Sequence, residues 1–531
     1  MICLILGVFF NPLTARTEIN LDVKEFTLKN GMKVLIMERP DSQSVAVRIC
    51  FKVGSVNEHP GLTGVSHLLE HMLFKGTETI STNDYAKEKP VLERIHQIQD
   101  RLDRLRKNQS RKVPPKASPE GEPRPYGGRL ALSGGGISLQ HKDSLFMGGV
   151  AQSSPAADEE IKTLETELES LLKIHRQYVI PKEISQIYQS HGAQGLNAST
   201  SSYITSYYCE LPANKLELWA WLESDRMTKP ILRGFYSERD VILEERRTRT
   251  EDNPDGALYA LFQSTIYQAH PLRWPVIGWR SDIQSLTPEQ VYRYWQQYYA
   301  PNNAVAIVVG NVKTDEVMQL MKKYFEPIPA QPPPSEIVTV EPEQQGERRV
   351  VLEFEAEPRI LIGYHTTTIG HDDDYILDLA DMILSSGRTS RFYKKLVVDQ
   401  QLCLQIGSSN GTGKYPGTFM ISATPKHPQT TEEVEKAIYE ELELLKNQPV
   451  SLVELNRAKK QLEAGFLRDL RSNAGMTSQL GNYEVMFSWK YLSDKVDRHK
   501  AVTQEDILKA AKKYFMPANR TVAVLVKKTN H

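Results

Sequence analysis

The sequence predicts an α+β protein built from two related domains, and three observations support this fold class. Residues 286–309 and 502–525 repeat one pattern, residues 327–334 form a proline-rich break between them, and both halves mix alternating strand patterns with longer helical ones. A repeated unit that contains strands and helices is expected to fold as a sheet with helices packed on it. The two copies therefore predict two domains of one architecture.

The repeat is LTPEQVYRYWQQYYAPNNAVAIVV in the first half and VTQEDILKAAKKYFMPANRTVAVL in the second, at a constant offset of 216 residues. Each copy has a threonine that can cap a helix, an amphipathic helix, a proline-asparagine break and a β-branched strand. Thr287 and Tyr298 match Thr503 and Tyr514 in this alignment. Because the cap, the break and the strand stay in register, we interpret the repeat as a duplication.

The proline-rich segment sets the domain boundaries. Residues 327–334, PIPAQPPP, contain five prolines, as a stiff extended linker would. We therefore predict a first domain over residues 20–326, a linker over 327–337 and a second domain over 338–531.

The first domain is the longer one, and the sequence indicates an insertion at about residues 86–183. Within it, residues 108–157 contain 21 Gly, Pro or Ser among 50 residues, which is the composition of a low-complexity tip. Apolar residues on both sides keep the 3-4-3 spacing of packed helices. This pattern predicts an antiparallel helical hairpin with arms over 86–107 and 158–178.

The N-terminal segment begins with the apolar run MICLILGVFF, which predicts a signal peptide over residues 1–16 without the usual basic start. A signal peptide implies export, which we expect to be to the periplasm. Two alternatives stay open: an apolar segment that packs on the core, or a misassigned starting methionine. Without a signal peptide the protein would remain cytoplasmic.

The composition excludes several classes of function. Sixty-five basic and 66 acidic residues give a net charge of -1, so there is no bulk attraction to nucleic acid. No apolar run approaches the roughly 20 residues of a membrane span, which argues against an integral membrane segment. Four cysteines in 531 residues do not form a disulfide scaffold.

Residues 66–77, SHLLEHMLFKGT, carry the most informative motif, His67-x-x-Glu70-His71. On a helix, positions i and i+4 share a face, so both imidazoles can reach one metal ion. Glu70 lies on the same side, where its carboxylate can contact a metal-bound water. The motif indicates a hydrolytic zinc site, although five residues alone are also compatible with two surface histidines and a solvated glutamate.

The residues around this motif resemble a known family. GLTGVSHLLEHMLFKGTETI is similar to the inverted zinc motif of the pitrilysin/insulinase metallopeptidases, which include mitochondrial processing peptidase. The resemblance continues through GLNAST, ITSYYCELP, ERDVILEERR and LSSGRTSRFYKKL, so it covers essentially the whole chain. It implies two homologous α/β-roll domains, each a mixed and mostly antiparallel sheet with helices packed on one side. The second domain would hold no metal.

The resemblance also implies a third zinc ligand, a glutamate roughly seventy-five residues after the second histidine. Glu245 follows His71 by 174 residues, and removing the 98 residues of the predicted insertion leaves 76. Glu244 is the adjacent alternative, but Glu238 lies seven residues before Glu245, on nearly the same helical face. The family places a histidine-orienting glutamate at that spacing. This match selects Glu245 as the ligand and Glu238 as the orienting residue.

By this resemblance His67, His71 and Glu245 would hold one Zn²⁺ per chain, and Glu70 would act as general base on a zinc-bound water. We expect a zinc-dependent endopeptidase that hydrolyses unfolded or short polypeptides. The alternative is a non-catalytic structural or chaperone-like subunit of a peptidase-like complex, although such relatives have lost the zinc residues.

Asn197 and Ala198 resemble the family's edge strand, which pairs with an extended substrate backbone. Asn197 alone is also typical of a turn. Members whose own second half completes the site carry an Arg and a Tyr there, but Val397 and Leu404 occupy the matching positions here. We therefore expect a heterodimer with a related subunit that supplies this pair. A homodimer that positions substrate with other groups is the alternative.

Overall fold

Two mixed sheets organise the fold. The computed structural model describes residues 21–112 and 155–528. The strands of the first sheet are β1 (Lys24–Thr27), β2 (Lys33–Glu38), β3 (Ser44–Phe51), β4 (Gln194–Thr200), β5 (Thr205–Pro212) and β6 (Ala304–Gly310). Those of the second are β7 (Arg348–Phe354), β8 (Arg359–His365), β9 (Cys403–Gly411), β10 (Thr418–Pro425) and β11 (Arg520–Lys527).

The two sheets share one strand order. The first runs β1-β2-β6-β3-β5-β4 and the second β7-β11-β8-β10-β9, so the second repeats the first without β1. In each sheet one neighbouring pair is parallel, β2 with β6 and β7 with β11, and the remaining pairs are antiparallel. The equivalent edge strands at one end are β4 and β9.

The helices divide between the two halves of the chain. Those before the proline-rich segment are α1 (Val65–Met72), α2 (Tyr85–Lys112), α3 (Pro155–His175), α4 (Glu183–Ser190), α5 (Leu216–Thr228), α6 (Phe235–Arg246), α7 (Pro254–Ile266), α8 (Arg280–Ser285), α9 (Pro288–Tyr298) and α10 (Thr314–Tyr324). Those after it are α11 (Asp372–Ser385), α12 (Thr431–Asn447), α13 (Leu452–Asp469), α14 (Asn473–Met486), α15 (Tyr491–Ala501) and α16 (Gln504–Tyr514). Two π-helical turns span Arg247–Glu251 and Tyr393–Asp399.

Local sequence explains why the repeated elements form twice. Thr287 and Thr503 each accept a backbone N–H at the third helical position, and the residue at that position bonds back to the threonine, which completes a capping box at α9 and at α16. Asn303 and Asn519 then donate to the last turns of those helices, at 2.8 and 2.9 Å. The same polar contacts therefore fix the connection from each helix to the strand that follows it.

Each sheet is covered on one face by a helix from the other half of the chain. Helix α14 packs Leu480 against Cys50 and Ile307 of the first sheet. Helix α7 packs Phe262 against the second sheet beside Leu361. Glycines permit both approaches: a Cβ on Gly481 of α14 would lie 2.6 Å from the Cys50 sulfur, and one on Gly363 of β8 would lie 2.3 Å from the Phe262 ring. The two halves thus complete each other's cores.

Residues Thr82–Ile180 form a separate compact unit. Within it α2 and α3 pair as an antiparallel hairpin, with Arg94 bonding Glu167 at 2.7 and 3.0 Å and Arg101 bonding Glu160 at 2.7 Å. Ile95, Ile98 and Leu102 are the buried apolar stripe of α2. The basic arm and the acidic arm therefore carry complementary charges around an apolar seam.

The predicted fold class is confirmed: the chain has two mixed sheets with many helices, and a hairpin interrupts the first half. The domain boundaries stay predictions. The predicted signal peptide at 1–16 and residues 113–154 of the predicted low-complexity tip lie outside the described residues. In the part of the chain that the structure describes, no helix combines the length and apolar composition that a membrane crossing requires.

Candidate metal centre

Helix α1 carries the histidine motif, and a buried carboxylate fixes where that helix begins. Glu58 accepts the backbone N–H groups of Gly64 and Ser66, at 2.7 and 2.9 Å, so it caps the helix in place of a local side chain. Burial raises the pKa of Glu58 to about 8. His67 and Glu70 are each 8% exposed on the capped helix.

Three predicted donors converge on one point. His67, His71 and Glu245 offer ligand atoms that all lie within 4.8 Å of one another. The Nε2 atoms of His67 and His71 are 3.8 and 3.7 Å from the two carboxylate oxygens of Glu245. The two rings stand nearly perpendicular, with centroids 4.8 Å apart. The structure thus brings together residues that are 174 positions apart in sequence.

Glu238 orients one of the two imidazoles. Its Oε1 is 2.9 Å from Nδ1 of His71, and its other oxygen pairs with Lys75. The hydrogen bond with His71 lowers the pKa of Glu238 to about 2, so the carboxylate accepts and His71 Nδ1 donates. Burial opposes the charged form of His71, but the bond to Glu238 and the negative charges of Glu238, Glu70 and Glu245 together outweigh burial and raise the pKa of His71. The Nε2 atom is thereby left to face Glu245.

The neighbouring glutamates at the end of α6 have different surroundings. The Glu245 side chain is 16% exposed and faces the histidines. Glu244 is exposed and pairs with Arg247, whose Nε lies 2.9 Å from it. A π-helical turn follows α6 directly and places Arg249 2.5 Å from Glu245. Turns of this kind are frequent at functional sites.

The donor set fits a zinc ion. Two imidazole nitrogens and one carboxylate oxygen, with the remaining position open, are the ligands of hydrolytic zinc sites. Burial lowers the pKa of His67 to about 3, which keeps that imidazole neutral. The distances from the two histidines to Glu245, 3.8 and 3.7 Å, are too long for hydrogen bonds, yet they are compatible with an ion about 2 Å from each atom.

Glu70 lies beside this cluster with a single polar contact among the described residues. The Thr200 hydroxyl, at the end of β4, donates to Oε2 of Glu70 at 2.5 Å. Burial raises the pKa of the Glu70 carboxyl, and the hydrogen bond from Thr200 partly opposes that rise. The residue predicted to act as a base is therefore next to the donors and is not held by any of them.

Strand β4 is an edge of the first sheet in the described structure, since it pairs only with β5. Asn197 is exposed there, and its side chain accepts the N–H of Ala198 at 2.9 Å. Beside the strand lies a pocket of about 530 Å³, which Glu70, His71, Phe74 and Leu196 help to line. The free strand edge, the pocket and the metal donors are contiguous.

The second half holds no comparable donor cluster within the described residues. Leu404 is 62% exposed at the start of β9, and Val397 is half-buried in the π-helical turn before it.

Four residues that contact the site were not predicted from the sequence: Thr200, Lys75, Arg249 and Glu58. Lys75 and Arg249 lie four residues after His71 and Glu245, a helical spacing that indicates proximity, but no local pattern links Thr200 to Glu70.

Comparisons with known proteins agree with this architecture. Residues 33–91 match the family described as Insulinase (Peptidase family M16), and residues 285–462 match the Peptidase M16 inactive domain. Zinc protease PqqE of Helicobacter pylori is 26% identical over 509 residues, which cover 94% of this chain and 91% of that protein.

Solved structures extend the likeness over the fold. The crystal structure of a protease from Helicobacter pylori matches with a TM-score of 0.73 and 25% identity, covering 96% of this chain and 100% of that one. The periplasmic protease PqqL from Escherichia coli, at 15% identity and a TM-score of 0.64, shares the fold alone. This chain spans 48% of the PqqL chain. With both M16 domain descriptions matched and a zinc protease similar over 94% of the chain, the chain belongs to the insulinase family of peptidases, M16.

Proposed function

We propose that this protein is a zinc-dependent endopeptidase that hydrolyses peptide bonds of unfolded or short polypeptides. The observation that carries the proposal is the convergence of His67, His71 and Glu245 beside the carboxylate of Glu70, which only Thr200 holds among the described residues. Its relatives are named zinc proteases, which agrees with this chemistry.

His67, His71 and Glu245 would hold the ion through two nitrogens and one oxygen. A bound zinc ion supplies Lewis acidity, which polarises a carbonyl and makes water a stronger acid at neutral pH. Glu238 would keep His71 in the tautomer that leaves Nε2 able to bind the ion, because the Glu238 carboxylate accepts the hydrogen bond that Nδ1–H donates.

Glu70 would move the proton. Its carboxylate takes a proton from the attacking water and returns it to the amine that leaves. Partial burial suits this role, since a desolvated carboxylate is a stronger base than an exposed one. Asn197, which is exposed, and Ala198, whose side chain is buried, would pair the free edge of β4 with the substrate backbone, which favours extended polypeptides over folded ones.

The non-catalytic alternative, a structural or chaperone-like subunit, is favoured by one observation. The segment over 285–462 matches a domain described as inactive, and it holds no donor cluster within its described residues. Most of that segment lies in the half without the histidine motif, and it contains none of His67, His71 and Glu245, so it does not argue against catalysis in the first half. We further propose that the chain is exported to the periplasm, and the basis of this proposal is the apolar run at the N-terminus.

Metal analysis and one substitution test the proposal. The tagged chain, isolated from its own host with any subunit that co-purifies, should contain one zinc per chain and cleave a quenched unfolded peptide. A chelator should remove both properties, and zinc should restore them. Glu70→Gln should keep the zinc and lose at least about a hundredfold in kcat, because an amide is no base. Cleavage by the zinc-free protein, or by Glu70→Gln within tenfold of the parent, would show the proposal to be wrong.

A further inference from the structure

The carboxylate of Glu70 has one hydrogen-bond donor among the described residues, the hydroxyl of Thr200. The cations nearby are engaged elsewhere: Lys75 pairs with Glu238, and Arg249 pairs with Glu245. The terminal torsion of a glutamate is broad and roughly two-fold, so an unheld carboxylate samples several orientations. Thr200 therefore decides which oxygen of Glu70 is held and which is free.

The backbone that carries Thr200 is fixed on two sides. Thr200 is in register with Thr205 across the β4–β5 turn. This turn also accepts two backbone hydrogen bonds from the segment before α1. The N–H of Ser55 donates to the Ser201 carbonyl at 3.2 Å, and the N–H of Val56 donates to the Ser202 carbonyl at 3.0 Å. These bonds tie the end of the edge strand to the segment that leads into the histidine helix.

The β4–β5 turn and the segment before α1 are closely packed against each other. A Cβ on Gly54 would lie 2.2 Å from the Ser201 carbonyl oxygen, so only glycine fits there. Thr200 itself is β-branched, which restricts its first side-chain torsion. The hydroxyl is therefore presented from a rigid backbone and a stiff side chain.

We infer that Thr200 is a positioning residue for Glu70, one that holds Oε2 and leaves Oε1 free to accept the proton. The inference rests on the proposed function and extends it to a residue 130 positions from Glu70. It also gives the edge strand a second role: besides pairing with substrate at Asn197, β4 orients the base at its end.

The chain supplies a matched set of variants. Thr200→Val keeps the shape and removes the hydroxyl, whereas Thr200→Ser keeps the hydroxyl. Thr205→Val makes the same chemical change directly across the turn, where the lost hydroxyl donates to the Val53 carbonyl at 3.1 Å and does not touch Glu70. Glu70→Gln reports whether the base is needed at all.

Thr200→Val should lower kcat by about tenfold to a hundredfold, as misplacement of a reacting group does, with KM and zinc content changed less than about twofold. Thr200→Ser should keep kcat within about threefold of the parent, since it retains the donor. Thr205→Val should keep kcat even where it lowers the unfolding temperature. In crystals of the metal-free proteins, the Glu70 carboxylate should hold one orientation in Thr200→Ser and rotate in Thr200→Val.

Three results would overturn the inference while leaving the proposed function in place. These are full kcat in Thr200→Val while Glu70→Gln is inactive, an equal loss of kcat in Thr205→Val, or zinc loss from Thr200→Val. A Glu70→Gln protein as active as the parent would instead overturn the proposed function, and the inference with it.

Discussion

Glu244 and Glu245 are adjacent acids that the structure places in different surroundings, and zinc content is the property that separates them. Glu245→Gln should lose zinc, because a neutral amide is a poor ligand beside two imidazoles. Glu244→Gln should keep one zinc per chain and nearly full stability, since an exposed pair with Arg247 contributes little. Metal analysis of both purified variants checks this, and zinc loss from Glu244→Gln alone would reverse the assignment.

A half-buried carboxyl in the second half of the chain gives a pH-dependent prediction. Asp381 on α11 accepts hydrogen bonds from Ser408 and Ser385, and burial raises its pKa to about 6. In the unfolded chain the carboxyl titrates near 3.9. Between about pH 4 and 6 the folded state thus binds more protons, so this group makes the protein less stable as pH rises.

Asp381→Asn should remove that dependence. An amide oxygen can accept both hydroxyls without carrying a charge, so the variant should exceed the parent in unfolding free energy by about 1–3 kcal/mol at pH 8 and match it near pH 4. Denaturant unfolding at the two pH values measures the difference. Asp399→Asn, an exposed acid at the end of a π-helical turn, is the control and should show no such change.

Among the elements, the hairpin arms α2 and α3 should keep their structure when the segment between them is removed. We predict that replacing residues 108–157 by a short Gly/Ser turn leaves the fold and the zinc content intact. The composition of that segment offers little apolar surface to bury, and the arms keep their contacts at Arg94 and Arg101. The unfolding temperature should fall by less than about 3 °C. A much larger fall would mean that the segment contributes to the core.

Which features the sequence predicts depends on how far apart their residues lie. The capping threonines, the repeated proline-asparagine break and the histidine pair each depend on residues only a few positions apart in the sequence. Periodicity and composition therefore identify them. The contact between Thr200 and Glu70, and the packing of α7 and α14 on the opposite sheets, join residues about 100 or more positions apart. No local pattern encodes such pairs. The Glu245 prediction needed the family's spacing as well.

For the whole molecule, we predict that efficient turnover requires a second, related subunit. Val397 and Leu404 stand where the resemblance implies an Arg and a Tyr supplied by the opposite half. A homodimer would repeat this deficiency. The chain expressed alone should therefore cleave a quenched unfolded peptide slowly at micromolar concentration, and co-expression with a related subunit that carries the pair should raise kcat.

Restoring the pair in this chain should replace that subunit. The double variant Val397→Arg/Leu404→Tyr should raise kcat of the isolated homo-oligomer by at least about tenfold, as added transition-state contacts do. Val397→Gln/Leu404→Phe is the control with similar size and no charge or hydroxyl. Full turnover by the unmodified homo-oligomer, with no gain from either route, would show that no partner is needed.

The exchange of α7 and α14 between the halves bears on the order of events during synthesis. The face of the first sheet that carries Cys50 and Ile307 stays open to water until α14 has left the ribosome, more than 160 residues after the last strand of that sheet. A nascent first half therefore exposes the apolar face of its sheet for most of the time that the second half is being made, and such exposed surface promotes aggregation. The first sheet reaches its native packing only after α14 has been made, so a product that stalls before α14 would be a substrate for chaperones and proteases.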